Sequence, residues 1–137
     1  MASCTPSWFA STTVILVLEG VCIVSELMPT DAAERKTYPV ASGVLDYFPD
    51  ACAAVAEVSY AGNEKHNPGE EMHWARGKSM DHADCIGRHL IERGGFDGPI
   101  RHSAALAWRA LALLQEELEA EYGLAAPRGA KDAVETK

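Results

Sequence analysis

Apolar residues recur with helical spacing over three stretches of the chain. The first predicts a helix over 49–61. Pro49 suits a first helical turn, where a missing N–H costs nothing, and Asp50 follows where the helix dipole favours an acid. The run DACAAVAEVSY is Ala-rich, with Val55 and Val58 supplying bulk, and Gly62-Asn63 reads as its stop. The second helix is expected over 79–93, with Ser79 as N-cap, Met80, Ala83, Ile86, Leu90 and Ile91 as its apolar positions, and Gly94-Gly95 as its end. The third, over 99–122, carries the stripe Ile100, Ala104, Ala107, Leu111, Leu114 and Leu118, broadened by Trp108, and stops at Gly123.

Between these lie an irregular lead-in over 29–48 and a loop over 62–78. Asp31 can cap a brief turn in the lead-in, and Tyr38-Pro39 and Ser42-Gly43 break structure there. The stretch 124–137 reads as a polar, flexible tail. Asp97-Gly98 is discounted as a hairpin turn because a proline and a long helix follow it. The expected fold is all-α, a small antiparallel bundle of three main helices with an irregular N-terminal lead-in.

Residues 9–24, FASTTVILVLEGVCIV, are the most hydrophobic run. No basic residue precedes it, which disfavours a signal peptide, and Glu19 interrupts a spanning helix. A packed strand or helix remains open, as does an upstream mis-start with Met28 as the true first residue. The expected organisation is an extension over 1–28, a domain over 29–123 and the tail.

Charge narrows the function classes. Lys+Arg 12 against Asp+Glu 20 leaves a net charge of −8, which excludes a polynucleotide-backbone binder. Cys4, Cys22, Cys52 and Cys85 show no C-x-x-C spacing. They read as reduced thiols in a cytoplasmic protein, with Cys52 and Cys85 buried in helical patterns.

Candidate chemistry gathers in two places. In the second helix Asp81, Asp84 and Arg88 share one face, with His82 and His89 on a neighbouring one. Two carboxylates a turn apart can hold Mg²⁺, or they can simply complement the helix dipole. Arg88 can meet a phosphate or pair with Asp84, and His89 and His102 can be ligands or satisfied core histidines. Glu57 is the first helix's candidate partner for those carboxylates. The loop concentrates Lys65, His66, Asn67, His73, Trp74, Arg76 and Lys78 in an otherwise acidic chain. The closing run QEELEAEY reads as a solvated acidic face. P-loop, Rossmann, nucleophile-elbow, H-E-x-x-H and His-Asp motifs are all missing from the sequence.

The pieces Ser42 to Ala51, Gly62 to Gly69, His73 to Ser79, Asp84 to Leu90 and His102 to Leu111 together resemble the phage-type dATP/dGTP diphosphohydrolases, which are MazG-like enzymes. The resemblance spans roughly 85 residues from Arg35 to about Glu119. It implies an all-α hydrolase that splits a purine deoxynucleoside triphosphate into monophosphate and pyrophosphate. It also implies Mg²⁺ or Mn²⁺, a homo-oligomer (dimer or tetramer), no nucleic-acid or membrane partner, and a cytoplasmic setting in a bacterium or phage-infected host. On that basis Glu57, Asp84 and His89 are expected to be catalytic, and Glu57, Asp81 and Asp84 to bind metal. Lys65, His66, Asn67, Trp74, Arg76, Lys78, Arg88 and His102 are expected to bind substrate. The chain departs from the wider pattern of Glu-x-x-Glu on one helix and Glu-x-x-Asp on the next, because Glu57 has no carboxylate three or four residues away. The alternatives are a catalytically inactive nucleotide- or partner-binding module and a purely structural helical module.

Overall fold

A computed structural model describes residues 27–132, so the expectations for residues 1–26 and 133–137 lie outside the described residues. The described chain is predominantly helical, with a few two-residue strands. Helix α1 (Ala32–Arg35) is the turn expected after Asp31, whose carboxylate accepts from the N–H groups of Ala33 at 2.9 Å and Glu34 at 3.0 Å. Ala41–Leu45, expected to be broken by Ser42-Gly43, instead forms a short π-helical turn.

Helix α2 (Pro49–His66) opens at Pro49 as expected but runs past Gly62 by a full turn. Its polar end explains the extension. Asn63 and Asn67 are buried, and Asn67 closes the last turn by donating its N–H to the Asn63 carbonyl at 2.7 Å. Tertiary anchoring therefore overrides the weak helix propensity of glycine.

Helix α3 (His82–Ile91) is shorter than expected and starts after Asp81 rather than Ser79. Its orientation also differs from the apolar pattern. His82 and Cys85 are buried and His89 is partly so, whereas Met80, Leu90 and Ile91 are exposed. The inward histidines have polar partners on the neighbouring helix, which makes their burial tolerable.

Strands β2 (Phe96–Asp97) and β3 (Ile100–Arg101) pair antiparallel, so Asp97-Gly98 does begin a hairpin turn, contrary to expectation. Gly98 supplies the positive φ of 58° that the reversal needs. The hairpin delivers the chain into α4 (His102–Tyr122), which ends at Gly123 in the left-handed conformation, φ 65°. Beyond it, strand β4 (Ala130–Lys131) pairs in parallel with β1 (Trp74–Ala75), so this part of the expected tail is tied down.

Helix α4 packs against both α2 and α3. Its buried seam is Ala104 and Ala112, with half-buried Trp108 midway, while Leu111 and Leu114 of the expected stripe stay exposed. Among the described residues no large side chain is fully buried, and no helix is long and apolar enough to cross a membrane.

Candidate functional site

A cleft of about 700 Å³ lies between the C-terminal half of α2, the 72–75 segment and α4. That volume falls in the range of small-molecule sites. Its wall begins with an amide lock. Asn63 Oδ1 accepts from the His73 N–H and from Asn67 Nδ2, both at 3.1 Å, and Asn63 Nδ2 donates to the Glu70 carbonyl at 3.3 Å. Asn67 Nδ2 also reaches the His73 carbonyl at 3.4 Å. The loop after α2 is thereby folded back on the helix.

The lock carries the chain into β1, where the Trp74 N–H donates to the Gly129 carbonyl at 2.8 Å. The Trp74 ring meets Trp108 edge to face, with centroids 5.8 Å apart and planes at 82°. Trp108 Nε1 donates to Ser59 Oγ at 2.9 Å and so ties α4 to α2. Behind these rings lies a polar layer. Arg109 Nη1 donates to Ser79 Oγ at 2.9 Å and lies 3.3 Å from His82 Nδ1. Because a guanidinium can only donate, His82 Nδ1 is the acceptor and its proton sits on Nε2, 3.5 Å from Glu116. Arg76 pairs with Glu119 at 2.7 Å and Glu116 at 3.7 Å, and lies over Trp74 at 4.8 Å. Glu116 and Glu119 thus face Arg76 and His82, and the expectation of a wholly solvated acidic end to α4 is corrected.

Lys65, His66, Asn67, Trp74 and His89 all line the cleft. Lys65 and His66 are exposed at the end of α2, whereas Asn67 is spent on the amide lock. Arg76 borders a separate recess of about 540 Å³ with its charge met by glutamates. Lys78 is exposed and lines neither concavity.

The expected metal set is not brought together within one protomer. Among the described residues, the one group whose ligand atoms lie within 4.8 Å of one another is His89, Glu92 and His102, not Glu57, Asp81 and Asp84. Helix α4 contacts both α2 and α3, while those two helices barely touch. Glu57 and Asp84 remain exposed. Asp81 is engaged elsewhere: it accepts from Ser79 Oγ at 2.8 Å and from Arg88 Nη2 at 2.8 Å. Arg88, expected to pair with Asp84 or a phosphate, pairs with Asp81 and donates to Cys85 Sγ at 3.0 Å.

Arg88, then the Ser79 hydroxyl and the Cys85 thiol, hold the Asp81 carboxyl well below the usual carboxylate range. A depressed folded-state pKa stabilises the fold above the unfolded value of 3.8 and loses that contribution as pH falls below it. Asp81→Asn is therefore expected to be less stable than wild type at pH 7, by a small and salt-sensitive margin because the pair is exposed. The gap should narrow as pH drops below about 4. Urea denaturation of both proteins at pH 7 and pH 3 checks this; a gap that widens in acid contradicts it.

His89 Nδ1 stands 3.0 Å from His102 Nδ1, and Glu92 Oε2 lies 3.4 Å from the same His102 atom. Burial, then the neighbouring His102 and Arg109, pushes the His89 pKa down. Glu92 and Asn63 escaped sequence reasoning. Their signals were local: Glu92 follows His89 by three residues, and Asn63 precedes Asn67 by four, each one helical turn.

No protein-family model, curated protein or solved structure matches the chain.

Proposed function

We propose that this chain is a metal-dependent hydrolase of purine deoxynucleoside triphosphates, dATP or dGTP, acting in the cytoplasm as a homo-oligomer built from antiparallel three-helix bundles. The observation that carries the reading is the 700 Å³ cleft, where Lys65, His66 and Arg109 meet the aromatic pair Trp74 and Trp108. An aromatic surface suits a purine, and the cations suit a triphosphate. In the reaction water attacks the α-phosphorus, the bond to the bridging oxygen breaks, and pyrophosphate leaves. Lys65 and Arg109 can absorb the charge that develops on that leaving group.

Mg²⁺ or Mn²⁺ would supply Lewis-acid polarisation and an activated water. Glu57, Asp81 and Asp84 do not fit one ion within a single protomer, so no step is assigned through it. That same separation favours a second reading, a catalytically inactive nucleotide-binding module. Homo-oligomerisation is supported by the thin core and by exposed Tyr47, Phe48, Met80 and Ile91. Sedimentation at micromolar concentration should show a dimer or tetramer; a monomer contradicts it.

Pyrophosphate release from each of the four dNTPs with Mg²⁺ or Mn²⁺ tests the activity. Turnover of dATP or dGTP, lowered by Lys65→Ala in a folded protein, is expected. Binding without turnover selects the second reading, and neither binding nor turnover with any dNTP ends both.

A further inference from the structure

We infer that His89, Glu92 and His102 form a binding site for a divalent transition-metal cation of the Zn²⁺ class at the edge of the cleft. Their ligand atoms lie within 4.8 Å of one another. The two measured edges are 3.0 Å between the His89 and His102 Nδ1 atoms and 3.4 Å between His102 Nδ1 and Glu92 Oε2. A tetrahedral ion with bonds of about 2.0–2.1 Å has ligand-to-ligand edges of roughly 3.3–3.4 Å. The side chains therefore already stand near the spacing such an ion imposes.

The scaffold accounts for that spacing. His89 and Glu92 are one turn apart at the end of α3, and His102 is the first residue of α4. Between them the chain reverses through Gly94, at φ 88°, and the β2–β3 hairpin, and the His102 N–H donates to the Gly95 carbonyl at 3.2 Å. A Cβ at Gly95 would come within 3.3 Å of the Glu92 carbonyl oxygen and 3.5 Å of His102 Cδ2, so glycine keeps this corner uncrowded.

Donor chemistry selects the ion. Two imidazoles and one carboxylate suit Zn²⁺ and its neighbours, whereas Mg²⁺ prefers oxygen and water. Three protein ligands leave a fourth position open, and His89 also lines the cleft. The inference does not depend on nucleotide hydrolysis, because metal alone is the probe.

Full-length chain is loaded with Zn²⁺, freed of excess and weighed by native mass spectrometry. One Zn²⁺ per chain is expected, undisturbed by excess Mg²⁺. His89→Gln and His102→Gln should each weaken binding by more than about tenfold. His66→Gln, which also lines the cleft but lies outside the cluster, should not. In wild-type protein, where no variant need fold, Zn²⁺ should shift the imidazole NMR signals of His89 and His102 and leave those of His66 in place. Co²⁺ should give visible bands of nitrogen and oxygen ligation without thiolate charge transfer. Substoichiometric Zn²⁺, binding indifferent to the two glutamine variants, unmoved His89 and His102 signals, or a thiolate band would each overturn the site and leave the pair as an ordinary imidazole hydrogen bond.

Discussion

Lys65→Ala is expected to lower kcat/KM for the preferred purine dNTP by about 10²–10³ while leaving the fold intact. Among the described residues Lys65 enters no ion pair, and its ammonium stands exposed on the cleft wall at the end of α2. Two of the other cations named as phosphate ligands, Arg76 and Arg88, differ in this respect. Arg76 is held between Glu116 and Glu119, and Arg88 lies on Asp81. Redirecting either toward a triphosphate would first break an existing pair. An exposed lysine carries no such cost, and its removal should change stability by less than about 0.5 kcal/mol. The matched comparison is Lys78→Ala, which alters net charge equally but lies outside the cleft. Steady-state kinetics of both variants, alongside their urea midpoints, separate a local phosphate contact from long-range electrostatics. Equal losses in the two variants would assign the effect to overall charge, and an unchanged Lys65→Ala would remove Lys65 from the substrate.

What could be read from the chain alone follows how local each signal is. The Asp31 cap, the opening of α2 at Pro49 and the end of α4 at Gly123 are set by residues within one turn of the boundary, and all three stand as expected. The face of α3 is not set that way. Apolar spacing selects Met80, Leu90 and Ile91 as its inner positions, yet His82, Cys85 and His89 turn inward. The partners that make this possible, Arg109, Glu116 and His102, are 27, 34 and 13 residues distant from the histidines they meet. The same limit applies to the metal question. Carboxylate spacing along one helix brings Asp81 and Asp84 to notice, but ligand sets are completed across helices. The set that closes here pairs α3 with α4 rather than with α2. Loop composition was more informative: five residues singled out on charge, amide or aromatic character share one cleft. The strand at 130–131 was invisible because a two-residue parallel pair depends wholly on what Trp74 lies beside.

Asn63→Ala is expected to cost about 3 kcal/mol of stability, a large share of what a domain of this size holds. The Asn63 side chain is 6% exposed and serves three hydrogen bonds at once. Alanine removes the acceptor for the His73 N–H and for Asn67 Nδ2, and leaves a polar group without a partner beside a closed helix end. An unmade hydrogen bond in such a place costs about 1–3 kcal/mol, more than the net gain from making one in water. The bland alternative is that Asn63 merely tolerates burial because helix α2 happens to end there. Alanine is then favoured by its higher helix propensity, worth several tenths of a kcal/mol in the opposite direction. The two views predict opposite signs. Asn63→Asp keeps the acceptor facing His73 but sets a buried carboxylate oxygen against the Glu70 carbonyl, so it is expected to lose stability as well. Urea denaturation followed by far-UV circular dichroism should place wild type above both variants. Because Asn63 also seats the chain that leads into Trp74, Ala should broaden the tryptophan emission under native conditions. A variant as stable as wild type would mean that the loop after α2 is held by Trp74 and β4 rather than by the amide lock.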